Sequence, residues 1–232
     1  MIGLARWALF AAIAVLAATA AGDAELAAMR DRQDRAGLER TIARLVEAAS
    51  SRSKDAPAQY RLALAQSYLA EVALELNDRR QARDAAEAGI GAAGRAVEIA
   101  PKVSEYHRIL GTLCGQVIPA NVLAGLKYGR CALESVNKAI ELDRRSSDGY
   151  LSRGVGNYYL PAAFGGGVEP AIRDFEKAIE LNPKSADAHL WLGIALRKAN
   201  RNADARQALA KSLALNPNRV WARQQLEKTP TP

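Results

Sequence analysis

Three sets of residues in this chain are of types that could do chemistry. The glycine run in "LPAAFGGGVEPAIRDF" (160–175) precedes a helix pattern with Pro170 near its first turn. Unpaired amides at a helix N-terminus can hold an anion. A phosphate loop of the Walker type also needs a Lys and a Ser or Thr just after the glycines, and here Val168, Glu169 and Pro170 follow. Glu169 would repel a phosphate, so the competing reading is an elongated joint, since glycine serves sharp reversals and proline tolerates a first helical turn. The two histidines, His107 and His189, could ligate a metal, but each lies four residues before a glycine (Gly111 and Gly193) and neither has cysteines or carboxylates at ligand spacing. That regularity makes them packing residues. Cys114 and Cys131 are the only cysteines. Both a disulfide and two free buried thiols fit them, and nothing nearby would activate a thiolate. The chain carries no Ser/His/Asp order, HExxH, GxSxG or paired acid/base constellation. No catalytic residue, no cofactor and no metal site is expected.

The elements around these residues read as helices. The 232 residues are 49% hydrophobic but only 6% aromatic, and rich in Ala, Leu, Arg and Glu, which favours helix over strand. The first stretch, "MIGLARWALFAAIAVLAATAAGDAE", has a cation at Arg6, an apolar run from Trp7, and Ala18 and Ala20 in the spacing that signal peptidases accept. It predicts a signal peptide over residues 1–20 and an exported, periplasmic protein. The alternative is an uncleaved segment anchoring the chain to the inner membrane. The rest, 21–232, is expected to be one domain. The net charge of +7 is spread along the chain and interleaved with acids, the pattern of a solvated helix surface, with no aromatics among the cations to suggest nucleic acid.

A repeat organises the helices. "AIRDFEKAIELNP" ends at Pro183 and "ARQALAKSLALNP" at Pro217, 34 residues on; "ALESVNKAIELDRRS" and "AAGRAVEIAP", ending at Pro101, are earlier copies. On these residues the sequence resembles the tetratricopeptide repeat (TPR) family, clearest over 104–228. Leu192, Gly193, Leu196, Ala205, Leu209 and Pro217 match its pattern in the last unit, with Ser212 where alanine is usual. Gly154, Ala171, Phe175, Ala178 and Pro183 match in the unit before. Upstream, Leu110 and Gly111 with Ala132, Val136 and Ala139, and then Leu64, Ala65 and Tyr68, take the same roles. The resemblance implies an all-α solenoid of stacked antiparallel helix pairs. Small residues allow close crossing, Leu and Phe fill the space between units, and special helices cap both ends. Two turns inside units are long: Gly154 to Ala171 is five residues longer than Gly193 to Ala205, and Gly111 to Ala132 is nine longer. The segment 23–50 and the helix from Val220 with Trp221 are the expected caps.

The turn with proline, an aromatic and "GGG", followed by Ala171 and Phe175, is similar to that of exported bacterial helical-repeat proteins, among them periplasmic TPR partners of tripartite substrate-binding transporters. In the resembled family the first helices line a concave face. Carried over, this gives Leu62, Gln66 and Leu69; Arg108, Thr112 and Gln116; Leu151, Val155, Tyr158 and Tyr159; and Leu190, Ile194, Arg197 and Lys198. Chaperone-binding members grip a carboxylate with Lys and Asn there, whereas Leu, Val and Ile stand here. The resemblance therefore implies a non-catalytic scaffold binding a protein or peptide through the groove. The alternatives are capture of a small amphipathic or apolar acid beside a transporter, and a groove covered by the chain's own N-terminal helix or long turns.

Overall fold

The computed structural model describes residues 21–119 and 123–231, so the expected leader, residues 1–20, lies outside the described residues. Among these residues every regular element is helical. The chain is helical over 21–31 (α1) and continues through α2 (Arg35–Ser51), α3 (Ala56–Glu75), α4 (Arg79–Ile99), α5 (Ser104–Val117), α6 (Ala124–Leu142), α7 (Ser147–Tyr159), α8 (Val168–Leu181), α9 (Ala186–Lys198), α10 (Asn202–Leu215) and α11 (Val220–Glu227). None of the described helices is long and apolar enough to cross a membrane.

Short polar residues set the helix starts. The side chains of Asp34, Asp55, Asp78, Ser146 and Ser185 each accept the amide three residues on, filling one of the donors a helix start leaves open. The turns between units repeat as well. Asp143, Asn182 and Asn216 each accept the amide two residues ahead, at 2.9, 3.1 and 3.2 Å. The histidines belong to this joint. The Nε2 of His107 reaches the carbonyl of Pro101 at 2.8 Å and that of His189 reaches Pro183 at 3.2 Å, while Arg223 donates to Pro217 at the same place one unit later. They tie each first helix to the end of the preceding unit rather than filling a core.

The pairs α3/α4, α5/α6, α7/α8 and α9/α10 stack in order, each second helix also packing on the next first helix. Close crossing explains the glycines. A β-carbon on Gly111 would stand 2.6 Å from Val136 Cγ2, one on Gly154 2.5 Å from the Phe175 ring, and one on Gly193 2.5 Å from Leu209 Cγ. The triple glycine is an elbow. Gly165 (φ 85°) and Gly167 (φ 110°) take left-handed backbone that other residues resist, and a β-carbon on Gly166 would collide with Leu160. The three amides are spent on Ala162, Pro161 and Asn157, the last at 2.8 Å, so none is left to hold an anion.

The first unit departs from the expected register. Gln59 of α3 accepts from Arg95 of α4 at 2.8 Å, and a β-carbon on Gly89 would meet Gln66 Cβ at 2.9 Å, so Gln59 and Gln66 face α4. Tyr68, given the role of a packing residue by the sequence pattern, packs against the core and turns its ring to Arg30 of α1, 5.0 Å away. Helices α3 and α4 run 20 and 21 residues against 13 and 14 for α9 and α10, and fully buried alanines at 63, 65, 70, 86, 92 and 93 let them approach.

Candidate functional site

Cys114 and Cys131 are joined in a disulfide, with Cα atoms 6.0 Å apart, pinning α5 to α6 across the longer of the two extended turns.

Each first helix packs on the next, α3 on α5, α5 on α7 and α7 on α9, and together they form the inner face. Its two parts differ. Toward the N-terminal units it is polar. Arg108 donates to both oxygens of Glu105 at 2.5 and 2.6 Å, Tyr60 donates to Glu105 at 2.8 Å, and Arg108 and Thr112 reach Ser152 of α7 at 3.3 and 3.2 Å. Burial disfavours charge on Arg108, but Glu105 outweighs it and holds the guanidinium charged; partial desolvation pushes the nearby Asp148 up in pKa.

Over this part lies α1. Its Leu26 is buried in one cluster with Leu38, Ile42, Leu62 and Leu69. Its polar residues reach both ends of the stack. Asp23 pairs with Arg61 of α3 at 3.1 Å, Arg30 with Asp187 of α9 at 2.8 Å, and Asp31 accepts from Asn216 at 2.7 Å. Arg219, 0% exposed at the start of α11, completes the junction, donating to Glu71 and Glu75 of α3 at 2.6 and 2.5 Å. Its Nε has no hydrogen-bond partner and stands 3.7 Å from Asp31 and 3.6 Å from Asp187. First and last units thus meet through one arginine, with α1 laid across them. Burial pushes the Glu75 carboxyl up to about 7, against the pull of Arg219 and with help from Glu71. Asp187 is held low because Arg30 and Arg219 together outweigh its burial.

Toward the C-terminal units the inner face is aromatic. Trp191 of α9 stands 5.2 Å from Trp221, 5.9 Å from Tyr158, 6.2 Å from Tyr159 and 6.2 Å from Phe175 between ring centres. The Lys198 ammonium sits 4.2 Å from the centre of the Tyr158 ring. Tyr159 is 48% exposed, and Phe164, in the glycine turn that follows, 75%. Burial raises the pKa of the Tyr159 hydroxyl to about 12, so it stays a neutral donor.

Of the residues expected to line a groove, Leu151, Val155 and Tyr158 are half-buried around this cluster. Leu190 (0% exposed) and Ile194 (5%) do not face open space, because they pack with Leu209 and with Ala222 of α11. Arg197 is likewise taken by α11, donating to the Gln225 carbonyl at 3.1 Å and its side chain at 2.6 Å. The C-terminal cap therefore takes Leu190, Ile194 and Arg197 out of the expected lining, and α1 lies over part of the polar face. The arginine and carboxylate junction escapes sequence reasoning altogether.

Stacked helix pairs with glycine crossings define the class, a TPR-like α-solenoid. Residues 164–220 match the family described as tetratricopeptide repeat. The fold is similar to that of TTC0263, a thermophilic TPR protein of Thermus thermophilus, at a TM-score of 0.62 and 18% identity over 84% of this chain and 91% of that one. Other solved structures match less closely: YrrB, described as a TPR protein with an unusual peptide-binding site (TM-score 0.42, 21% identity, 82% and 84% of the two chains), and MamA of Desulfovibrio magneticus RS-1 (0.44, 16%, 85% and 97%). No curated protein matches the chain.

Proposed function

We propose that the chain is an exported, non-catalytic scaffold that docks a protein segment on the aromatic part of its inner face. The observation that carries this reading is the cluster of Tyr158, Tyr159, Trp191 and Trp221 on successive first helices, left partly open and flanked by Lys198. Partly exposed aromatic side chains supply large contact area with little rotamer entropy to lose, which suits them to anchor a partner. The chemistry favours an extended or helical segment with apolar side chains and an acidic group for Lys198. The disulfide and the apolar N-terminal run support export, because disulfides persist in oxidising compartments.

A photoreactive residue placed at 159 is expected to crosslink a partner protein in the native host, while the same residue at 46, on the exposed outer side of α2, is not. Equal capture at both positions, or none at 159, sinks the docking surface. Thiol trapping of chain taken from cells tests export: Cys114 and Cys131 should be blocked to alkylation until reduced. Cys114→Ser is then expected to cost about 3 kcal/mol, the loop-closure entropy of a crosslink of this span.

A further inference from the structure

The covering of the polar inner face by α1 is itself informative, because of how α1 is held. One side chain, Leu26, is fully buried, with Met29 packed beside it, while Ala24 and Glu25 are exposed. The remaining attachments are polar: Asp23 to Arg61, Arg30 to Asp187 and to the Tyr68 ring, Asp31 to Asn216 and Arg219, and Gln33 to Glu75 at 2.8 Å. Residues 32–34 join α1 to α2 by a tight turn with Gln33 at φ 55°, so α1 can swing away without unravelling α2.

The surface left behind would be acidic in a chain whose net charge is +7. Glu71, Glu75, Glu105, Asp148 and Asp187 face it, against Arg61, Arg108 and Arg219, and these groups interact with one another and with Tyr68 and Arg30 across the groove. Arg30 answers that excess. The residues of α1 that reach the surface, Asp23, Leu26, Arg30 and Asp31, fall at i, i+3, i+7 and i+8, one face of a helix.

We propose that the groove of Arg61, Tyr68, Glu71 and Asp187 is a second interaction surface, fitted to an amphipathic helix of a partner protein with an acid, an apolar residue and an arginine at i, i+3 and i+7, and that α1 is its resident occupant. A partner helix of that pattern reaches the groove by displacing α1. Exchange of one helix for another conserves the ion pairs, which is why the surface can open without leaving its charges unpaired. This surface is separate from the aromatic cluster, and Tyr159→Ala is expected to leave it unchanged.

The test is a fluorescent peptide of residues 21–34 titrated by anisotropy into the whole chain and two variants. Wild type binds it weakly, since its own α1 competes. Arg30→Glu, which sets α1 against Asp187, binds at least tenfold more tightly. Adding Asp187→Arg to that variant reseats α1 and returns binding to the weak level, and a peptide carrying Arg30→Glu does not bind the single variant. Equal binding by all three proteins, or indifference to the peptide's own arginine, overturns the proposal. Should Arg30→Glu fail to fold, hydrogen exchange on the unaltered chain decides. Amides 24–31 are expected to exchange at least tenfold faster in high salt than in low, with α3 and α5 unchanged, because partly exposed ion pairs are screened and buried apolar packing is not. Protection of α1 equal to that of α3 in both buffers overturns it.

Discussion

The two ends of the stack are closed by helices held in opposite ways. At the C-terminal end α11 lays Ala222 and Leu226 on Leu190, Ile194 and Leu209, and its remaining polar groups are tied by Arg197 and Arg206, the latter to the Thr229 carbonyl at 2.8 Å. At the N-terminal end α1 has one fully buried leucine and a set of ion pairs. Apolar burial is indifferent to salt and to protons near neutral pH, so α11 is a fixed cap. Ion pairs answer to both, so α1 is a conditional one. A repeat array can cover its inner face with its own ends, and this chain covers the polar part of that face with contacts that the solution can loosen.

The largest effect should come from the one residue that joins the ends. Arg219→Ala leaves Glu71 and Glu75 buried without their cation, and removing one partner of a buried pair costs about 3–5 kcal/mol. Chemical denaturation reads this directly, and Arg219→Leu combined with Glu75→Leu should recover much of the loss. If Arg219→Ala costs less than about 1 kcal/mol, the junction is not structural. At the other end Leu209→Ala, a buried truncation against α11 and Gly193, should cost about 2–5 kcal/mol. Its loss should be the same in low and high salt, whereas that of Asp23→Ala, which breaks the part-exposed pair with Arg61, should be smaller but should shrink further as salt rises. Equal salt sensitivity at the two ends would erase the contrast.

The same contrast decided what the sequence made legible. Between 147 and 217 the crossing glycines, Phe175 and Leu209, and the closing prolines recur in register, so each helix and the glycine turn could be placed residue by residue. In that part the physics is local and periodic. In the first unit alanines replace the larger packing residues and the helices lengthen, so the pattern gives no hint that Tyr68 meets Arg30 of α1. Arg219 read as one more scattered cation, because its partners lie 144 and 148 positions away and no short-range spacing encodes such a pairing. Leu190 and Ile194 differ for a related reason: their places in the unit put them on the inner face, but α11 packs on that same face and covers them.

Protons should separate the ends next. Glu75 takes up a proton near pH 7 when folded and near its ordinary value of 4.5 when unfolded. The folded state therefore holds more protons between these values, and stability is greatest toward pH 4.5 and falls as pH rises to 7, with a slope of at most about 1.4 kcal/mol per pH unit. Asp187, shifted the other way, withdraws its contribution only below its ordinary range. Melts from pH 5 to 7 should show this decline, and Glu75→Gln should flatten it. A decline that survives Glu75→Gln belongs to other groups.

The smallest effect comes from placing the same chemistry where it can do least. Arg130 and Glu134 form an ion pair at 2.7 Å along the exposed face of α6, with geometry as good as that of Arg30 and Asp187 at 2.8 Å. Distance alone would rank them equal. But Arg130 and Glu134 stay in water, where the attraction is screened and largely offset by the entropy of holding two long side chains. Arg30 and Asp187 are mostly covered, though still within reach of salt, and are linked to Asp31, Glu71, Asp148 and Arg219, so that loss of one leaves the rest unbalanced. Arg130→Ala should leave the melting midpoint unmoved at any salt concentration, while Arg30→Ala lowers it and does so most in low salt. Were the two substitutions to act alike, the N-terminal clamp would be an ordinary surface network, and α1 would owe its position to Leu26 alone.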